Sequence, residues 1–485
     1  MAVDISRVTF DASKHYSRLI HQQGRVTLDA DANEQAAVLL HYLRTVVADV
    51  LGPAASPRAA PGFTVTRIPG DPARDLAVGA GRLYADGLLV ENGAPTTYLT
   101  QPEGFVDEER APVPASGPFV AYLRVWEREI TAIQDPAIRE VALGGAGPDT
   151  AARAKVVWQV ALHPFGDEDP GGGGAAARLG EWLDALHRPA GLLAARVGPP
   201  LPGPPDPCAL SPAARFRGPE NQLYRVQIHT SGTGAPPPGA APAARRTVPS
   251  SRRRGAAARA TAEGPPVATF VWSRENASVA FPVAAVAGPV VTLEEWGRDG
   301  RLGLDVGDRV ELVDDANAVR AADDVPTAPP QGVHRVTAVD RAARTVTLDA
   351  DPNAPAPGRR TPPPPVSGDP GLHPYLRRWD HRPAAGAQAL PVVLDTWIPL
   401  EDGVEVRFTD PPQPAGREAA GRFRRGDHWL VPARTLPGDV LWPQTDEGPA
   451  ALAPHGTAYH YVPLAYVPAQ GDPVPLVPAF SPLFP

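Results

Sequence analysis

Cysteine is nearly absent: in 485 residues the only thiol belongs to Cys208. That excludes an internal disulfide framework and any cysteine-built zinc cluster. Lysine is almost as scarce, with Lys14 and Lys155 alone, so arginine carries nearly all the positive charge. No run of ~18 apolar residues occurs, and no membrane span is expected. The opening MAVDISRVTF lacks the basic-then-apolar plan of a signal peptide, which makes cytoplasmic assembly the expectation. The net charge is −8, without an overall basic footprint, so nucleic acid is not an expected partner.

Proline and glycine are abundant instead, at 62 and 46 residues. They imply many turns and several long loops. The length exceeds one compact core and suggests about three domains.

The one strong helical signal runs from Ala32 to Leu51. Asp31 is placed to cap it, with Glu34 completing a capping box and Gly52-Pro53 stopping it. Leu39, Leu43, Val46, Val47 and Val50 fall on one stripe at helical spacing. A shorter helix is expected at Ala176–His187, and a short strand at Val26–Leu28. Nearly everything else alternates like strands broken by Gly, Pro or Asp. The expected class is mainly β: several small β-sandwich or barrel modules with one N-terminal α-helix.

The expected organisation is an N-terminal docking segment with a helix over 1–55 and a β-domain over 56–165. A linker with a short helix follows over 166–210, then a β-domain over 211–282 with a basic loop at 232–266. An SH3-like barrel over 283–350, a Pro-rich linker over 351–371 and a C-terminal β-domain over 372–485 complete the chain.

Motif searches return little chemistry. Asp29-x-Asp31-x-Asn33 opens like a calcium loop, but positions six and twelve hold Glu34 and Leu40 in place of Gly and Glu. Capping and turn bonding explain those carboxylates better. His455 and His460 flank a short turn and are candidates to share a site, yet no metal-binding or nucleophile signature accompanies them. Tetraglycine 171–174 reads as flexible linker. Arg245, Arg246, Arg252, Arg253, Arg254 and Arg259 form a basic loop without the aromatic residues that single-strand binding needs. Glu294/Glu295 beside Trp296 and Glu127/Glu129 beside Trp126 are the carboxylate pairs to weigh for glycoside hydrolysis. The first two point to opposite faces of a strand, and the second two read as a solvated edge. Asn221, Gln222, Arg274, Glu275 and Asn276 are read equally as surface or as an internal sheet junction. No catalytic residue, cofactor or metal ligand is expected.

The stretch KHYSRLIHQQGRVTLDADANEQ, residues 14–35, is dense in polar groups that core packing does not explain. It resembles an uncharacterised bacterial family encoded with phage-tail-like contractile injection systems. The matching residues include Lys14, Tyr16, Gln22, Gln23, Gly24, Arg25, Asp29, Asp31, Asn33, Glu34 and Gln35. Ala32 stands where the family usually has Trp. Further similar stretches are GRLYADGLLVEN (81–92), RGPENQLYRVQIH (217–229) and RRGDHWLVPAR (424–434). The resemblance implies a non-enzymatic particle component at the baseplate, in a fibre or at a peripheral attachment. Its partners would be other subunits of the particle, with self-association within the particle left open. Those eleven residues are the candidate docking interface. A carbohydrate- or receptor-binding β-protein displaying Trp296, Trp379 or Trp429 is the alternative, followed by a polysaccharide-active enzyme.

Overall fold

The computed structural model describes residues 2–481, except 69–74, 107–111, 115–116, 145–148, 167–168, 187–190, 199–215, 238–265, 298–299, 320–331, 355–365, 367–368 and 412–421. The basic loop, Cys208 and most of the Pro-rich linker therefore lie outside the described residues. The chain is mainly β, built from several small sheets and one closed barrel, with a helix near its start. It forms two compact units: residues 1–188, 278–378 and 457–485 make the first, and 189–277 and 379–456 the second.

The first unit is organised around the Phe119–Ile130 strand. It pairs antiparallel with Arg153–Pro164 from Phe119↔Pro164 to Ile130↔Arg153. On its other side lies His460–Val467, which arrives from the far end of the sequence. Alternate residues of a strand face opposite ways, and here both faces are covered. Phe119, Ala121, Leu123 and Val125 enter a core with Phe63, Leu83, Val90 and Trp158. Val120 and Tyr122 instead meet Leu179, Trp182 and Leu183 of a helix, Gly171–Leu186. That helix absorbs the tetraglycine, which is its first turn and not a linker. The Asp169 carboxylate accepts the Gly171 N–H at 2.9 Å and fixes the start; burial of Leu179 and Ala175 outweighs the low helix propensity of glycine.

A second sheet of this unit contains the hairpin Gly81–Ala85 and Leu88–Asn92. Its turn is Asp86-Gly87, with φ of 46° and 83°, the left-handed pair that a tight hairpin requires. The barrel closes in the order Ala280–Ala287, Val290–Leu293, Thr345–Leu348, Val333–Asp340, Arg309–Val313, Tyr375–Trp379. Phe281, Val291, Leu293, Val310, Val336, Val346 and Leu376 fill it.

In the second unit, a five-stranded sheet centred on Gln222–Thr230 and a three-stranded sheet centred on Val404–Thr409 share one core. Tyr224, Val226, Phe270, Trp272, Phe408, Phe423 and Trp429 build it, and Phe408 contacts Phe270, Phe423 and Trp429 in tilted or edge-on geometry.

Candidate docking surface

The amino-terminal segment is an arm on the outside of the first unit. Residues 11–18 and 20–29 are all exposed. A 3-10 turn, Ala12–Lys14, is capped by Asp11, whose Oδ1 accepts from Ser13 N at 2.9 Å and Ser13 Oγ at 2.6 Å. These bonds, led by the Ser13 hydroxyl, hold the Asp11 carboxyl below its ordinary range. The chain then runs without strand partners to a second turn, where Arg25 N–H donates to Gln22 O at 3.3 Å. Gly24 takes φ of 68° there, a conformation that suits glycine. The expected Val26–Leu28 strand does not form, because no neighbouring chain satisfies its backbone; Val26 is 84% exposed.

Helix α1 follows, Asp29–Leu51. It begins three residues earlier than the expected Ala32, and Asp31 is not its cap. Asp31 sits inside the first turn and its Oδ2 reaches back to Leu28 N at 3.0 Å, so Glu34 completes no capping box. Asp29 Oδ2 accepts Ser6 N at 2.8 Å. Partial burial works against the Asp29 charge, but the Ser6 bonds outweigh it and leave the carboxyl below its ordinary value. Two acids in the first turn also complement the helix dipole.

Three attachments hold the arm and α1 to the unit, and one more ties the arm to α1. The Arg44 guanidinium makes a bidentate pair with Glu127, Nη1–Oε2 at 3.0 Å and Nη2–Oε1 at 2.8 Å. Glu129 Oε1 accepts Ala2 N at 2.8 Å. The Gln35 side-chain oxygen accepts Leu19 N at 2.8 Å, tying arm to helix. At Gly87 the hairpin turn passes directly beneath α1; a Cβ there would lie 2.2 Å from the Arg44 carbonyl oxygen. Glu127 and Glu129 thus share a face, as their spacing implies, but they serve as anchors and not as a solvated edge. Sequence reasoning missed this use. The available signal was the pairing of two same-face carboxylates with an Asp-Gly hairpin tip.

The candidate interface residues divide accordingly. Lys14, Tyr16, Gln22, Gln23, Gly24 and Arg25 are presented outward, Tyr16 with 61% of its surface exposed. Asn33 is also exposed, on the first turns of α1. Asp29 and Asp31 are turned onto backbone N–H groups of their own chain, while Glu34 and Gln35 are half-buried.

Other candidates resolve into structure. Trp379 and Trp429 are core residues, each 1% exposed, and do not form a platform. Bulky aromatic side chains in alternating strands are more readily buried than displayed. His455 and His460 belong to different units. His455 exchanges backbone hydrogen bonds with His428, and His460 Nδ1 meets Asp86 Oδ2 at 2.8 Å. Burial drives the His428 imidazole well below its ordinary pKa, helped by the Arg225 charge. Glu294 and Glu295 are exposed, and Glu295 approaches Arg139 at 3.4 Å.

The Arg274 region is a sheet junction. Arg274 Nη2 donates to Glu401 Oε2 at 2.7 Å and its backbone N–H to Asp380 Oδ2 at 2.9 Å. The Tyr224 hydroxyl donates to Glu401 Oε1 at 3.2 Å. Burial raises the Glu401 carboxyl although Arg274 opposes it, and burial with the Glu401 charge pushes the Tyr224 hydroxyl far up. Asn276, at φ 50°, closes the adjoining buried turn. Among the described residues no group of three or more His, Cys, Asp or Glu side chains is placed to hold a metal. No helix among them is long and apolar enough to cross a membrane.

Fold and surface together define a β-rich protein of two units with an anchored, outward-facing amino-terminal arm. The chain belongs to a family of unknown function, DUF6519, whose model matches residues 1–195 and 183–474. No curated protein and no solved structure matches it.

Proposed function

We propose that the protein is a non-enzymatic structural component of a phage-tail-like contractile injection particle. It docks onto another subunit through the strip Lys14–Arg25, continued by Asn33. The supporting observation is the arm itself: its polar side chains point outward while separate residues hold its backbone to the unit. A surface that is both fixed and rich in directional donors and acceptors gives specificity with little ordering cost. Tyr16 and Arg25 are of the types that anchor interfaces. The carboxylates weighed for hydrolysis also support a non-catalytic reading, since Glu127 and Glu129 are occupied by Arg44 and Ala2.

The test is co-sedimentation with intact particles from cells that make them. Replacing Gln22, Gln23 and Arg25 with Ala is expected to reduce the particle-bound fraction about tenfold or more, with thermal unfolding of the free protein unchanged. A triple variant that sediments with particles as the parent does would overturn the docking strip. A parent chain that never sediments with particles would overturn the particle role.

A further inference from the structure

Helix α1 has a second face that the docking strip does not use. The side turned to its own unit carries Ala30, Val38, Arg44 and Ala48. A surface helix ordinarily presents charge on the opposite side. Here that side is Ala32, Ala36, Leu39, Leu43, Val46 and Val50, all exposed. Leu39 and Leu43 keep 57% and 58% of their surface, and Val50 keeps 75%. The intervals alternate four, three, four, three, four. Apolar residues at alternating intervals of four and three are the spacing that a helix-pairing seam uses.

We propose that this seam pairs with the α1 seam of a second copy of the same chain, antiparallel, about a two-fold axis that crosses the seam between Leu39 and Leu43. Three features favour that occupant. First, the seam is complementary to itself only when reversed. Ala32 then meets Val50 of the second copy, Ala36 meets Val46, and Leu39 meets Leu43. Each layer combines volumes that fill evenly, and a closed isologous contact results. A parallel pair would stack Ala on Ala at one end and Val on Val at the other.

Second, the flanks carry almost no charge. Asn33, Leu40 and Val47 line one side, and Gln35, Tyr42 and Asp49 the other. A partner helix with charged flanks would find nothing to pair with, whereas an identical helix meets no array of like charges.

Third, Asp49 lies in the last turn of α1, where the helix dipole disfavours a carboxylate and no basic residue offsets it. Antiparallel pairing brings it beside the first turns of the second helix, opposite Gln35. The Gln35 oxygen is taken by Leu19 N–H, which leaves its amide hydrogens as the donors offered to Asp49. Asp31, on the same flank, turns its carboxylate back to Leu28 N–H. Parallel pairing would instead set two Asp49 carboxylates together at two negative helix ends.

Sedimentation velocity on the full chain tests the pairing, and the expected result is a reversible dimer in the micromolar range. Leu39→Glu with Leu43→Glu places four carboxylates in the seam and is expected to weaken self-association at least tenfold. Both positions are exposed, so the melting temperature should hold and separate loss of pairing from loss of fold. Orientation is read by a spin label on Asn33→Cys in a Cys208→Ser background. Eight residues from the axis on each helix, at 1.5 Å per residue, place antiparallel labels roughly 24 Å apart along the helices, against about 10 Å for parallel helices.

A parent chain that stays monomeric throughout that range overturns the proposal, as does a dimer untouched by the double substitution. A label distance near the shorter value overturns the antiparallel arrangement. The sedimentation results do not bear on the docking strip, whose residues the double variant leaves intact.

Discussion

Arg44 and Glu127 are 83 positions apart in sequence and share two hydrogen bonds. The pair is partly exposed, at 29% and 32% of the side chains, so its worth is that of a well-formed surface bridge, about 1 kcal/mol. Its effect is local because it is one of few attachments of the arm. Glu127→Gln is expected to raise hydrogen exchange across residues 2–51 severalfold and leave the Phe119–Ile130 amides protected. Equal protection of the arm in variant and parent would show that the bridge does not hold it. Such roles are hard to read from sequence. Spacing two puts Glu127 and Glu129 on one face, but the guanidinium and N–H that meet them come from a segment whose path periodicity does not encode. The same limit applies to Trp379 and Trp429: their type predicts a large contact area, and only the surrounding strands decide that it is internal.

Among the elements, α1 is the most legible and also the most misleading. Its apolar stripe fixes the helix, and Gly52-Pro53 marks its end. Its start is not legible in the sequence, because Asp31 is equally good chemistry as a cap and as a third helical residue reaching backwards. Sequence gives no reason for a helix in tetraglycine, whose support comes from the strand face above it. The seat of α1 rests on the Asp86-Gly87 turn. Gly87→Ala would add a Cβ at positive φ against the Arg44 carbonyl. The left-handed cost alone is about 1–2 kcal/mol, and the contact adds to it. A lower melting temperature, together with faster proteolysis within residues 2–51, is the expected result. A variant with unchanged protection of the arm would show that the helix is not seated on that turn.

Across the molecule, buried neutral imidazoles contribute to the response to acid. His334 in the first unit and His428 in the second are both lowered by burial. Their folded pKa values lie below the ordinary 6.5, so the unfolded chain takes up protons first. Stability is therefore intact above about pH 6.5 and is lost as pH falls through the window beneath it. The melting temperature should drop between pH 7 and pH 5, and His428→Gln should flatten that slope; a slope unaltered by the substitution would remove His428 from the account. The β-rich class and the arm are visible in composition and pattern. The pairing of His460–Val467 with Phe119–Ile130 is not, since register over such a distance leaves no local trace.

That pairing sets a timetable for making the protein. His460 lies opposite Val125, 335 positions later. At synthesis rates of ~5–20 residues per second, the interval is roughly 20–70 s. For that time the nascent sheet has one side open, and a ribosome that stops early leaves it open permanently. Synthesis of His460–Val467 is thus also the moment at which the first unit becomes safe from sticking to its neighbours, so copies truncated before it should be found in aggregates and not in the soluble fraction.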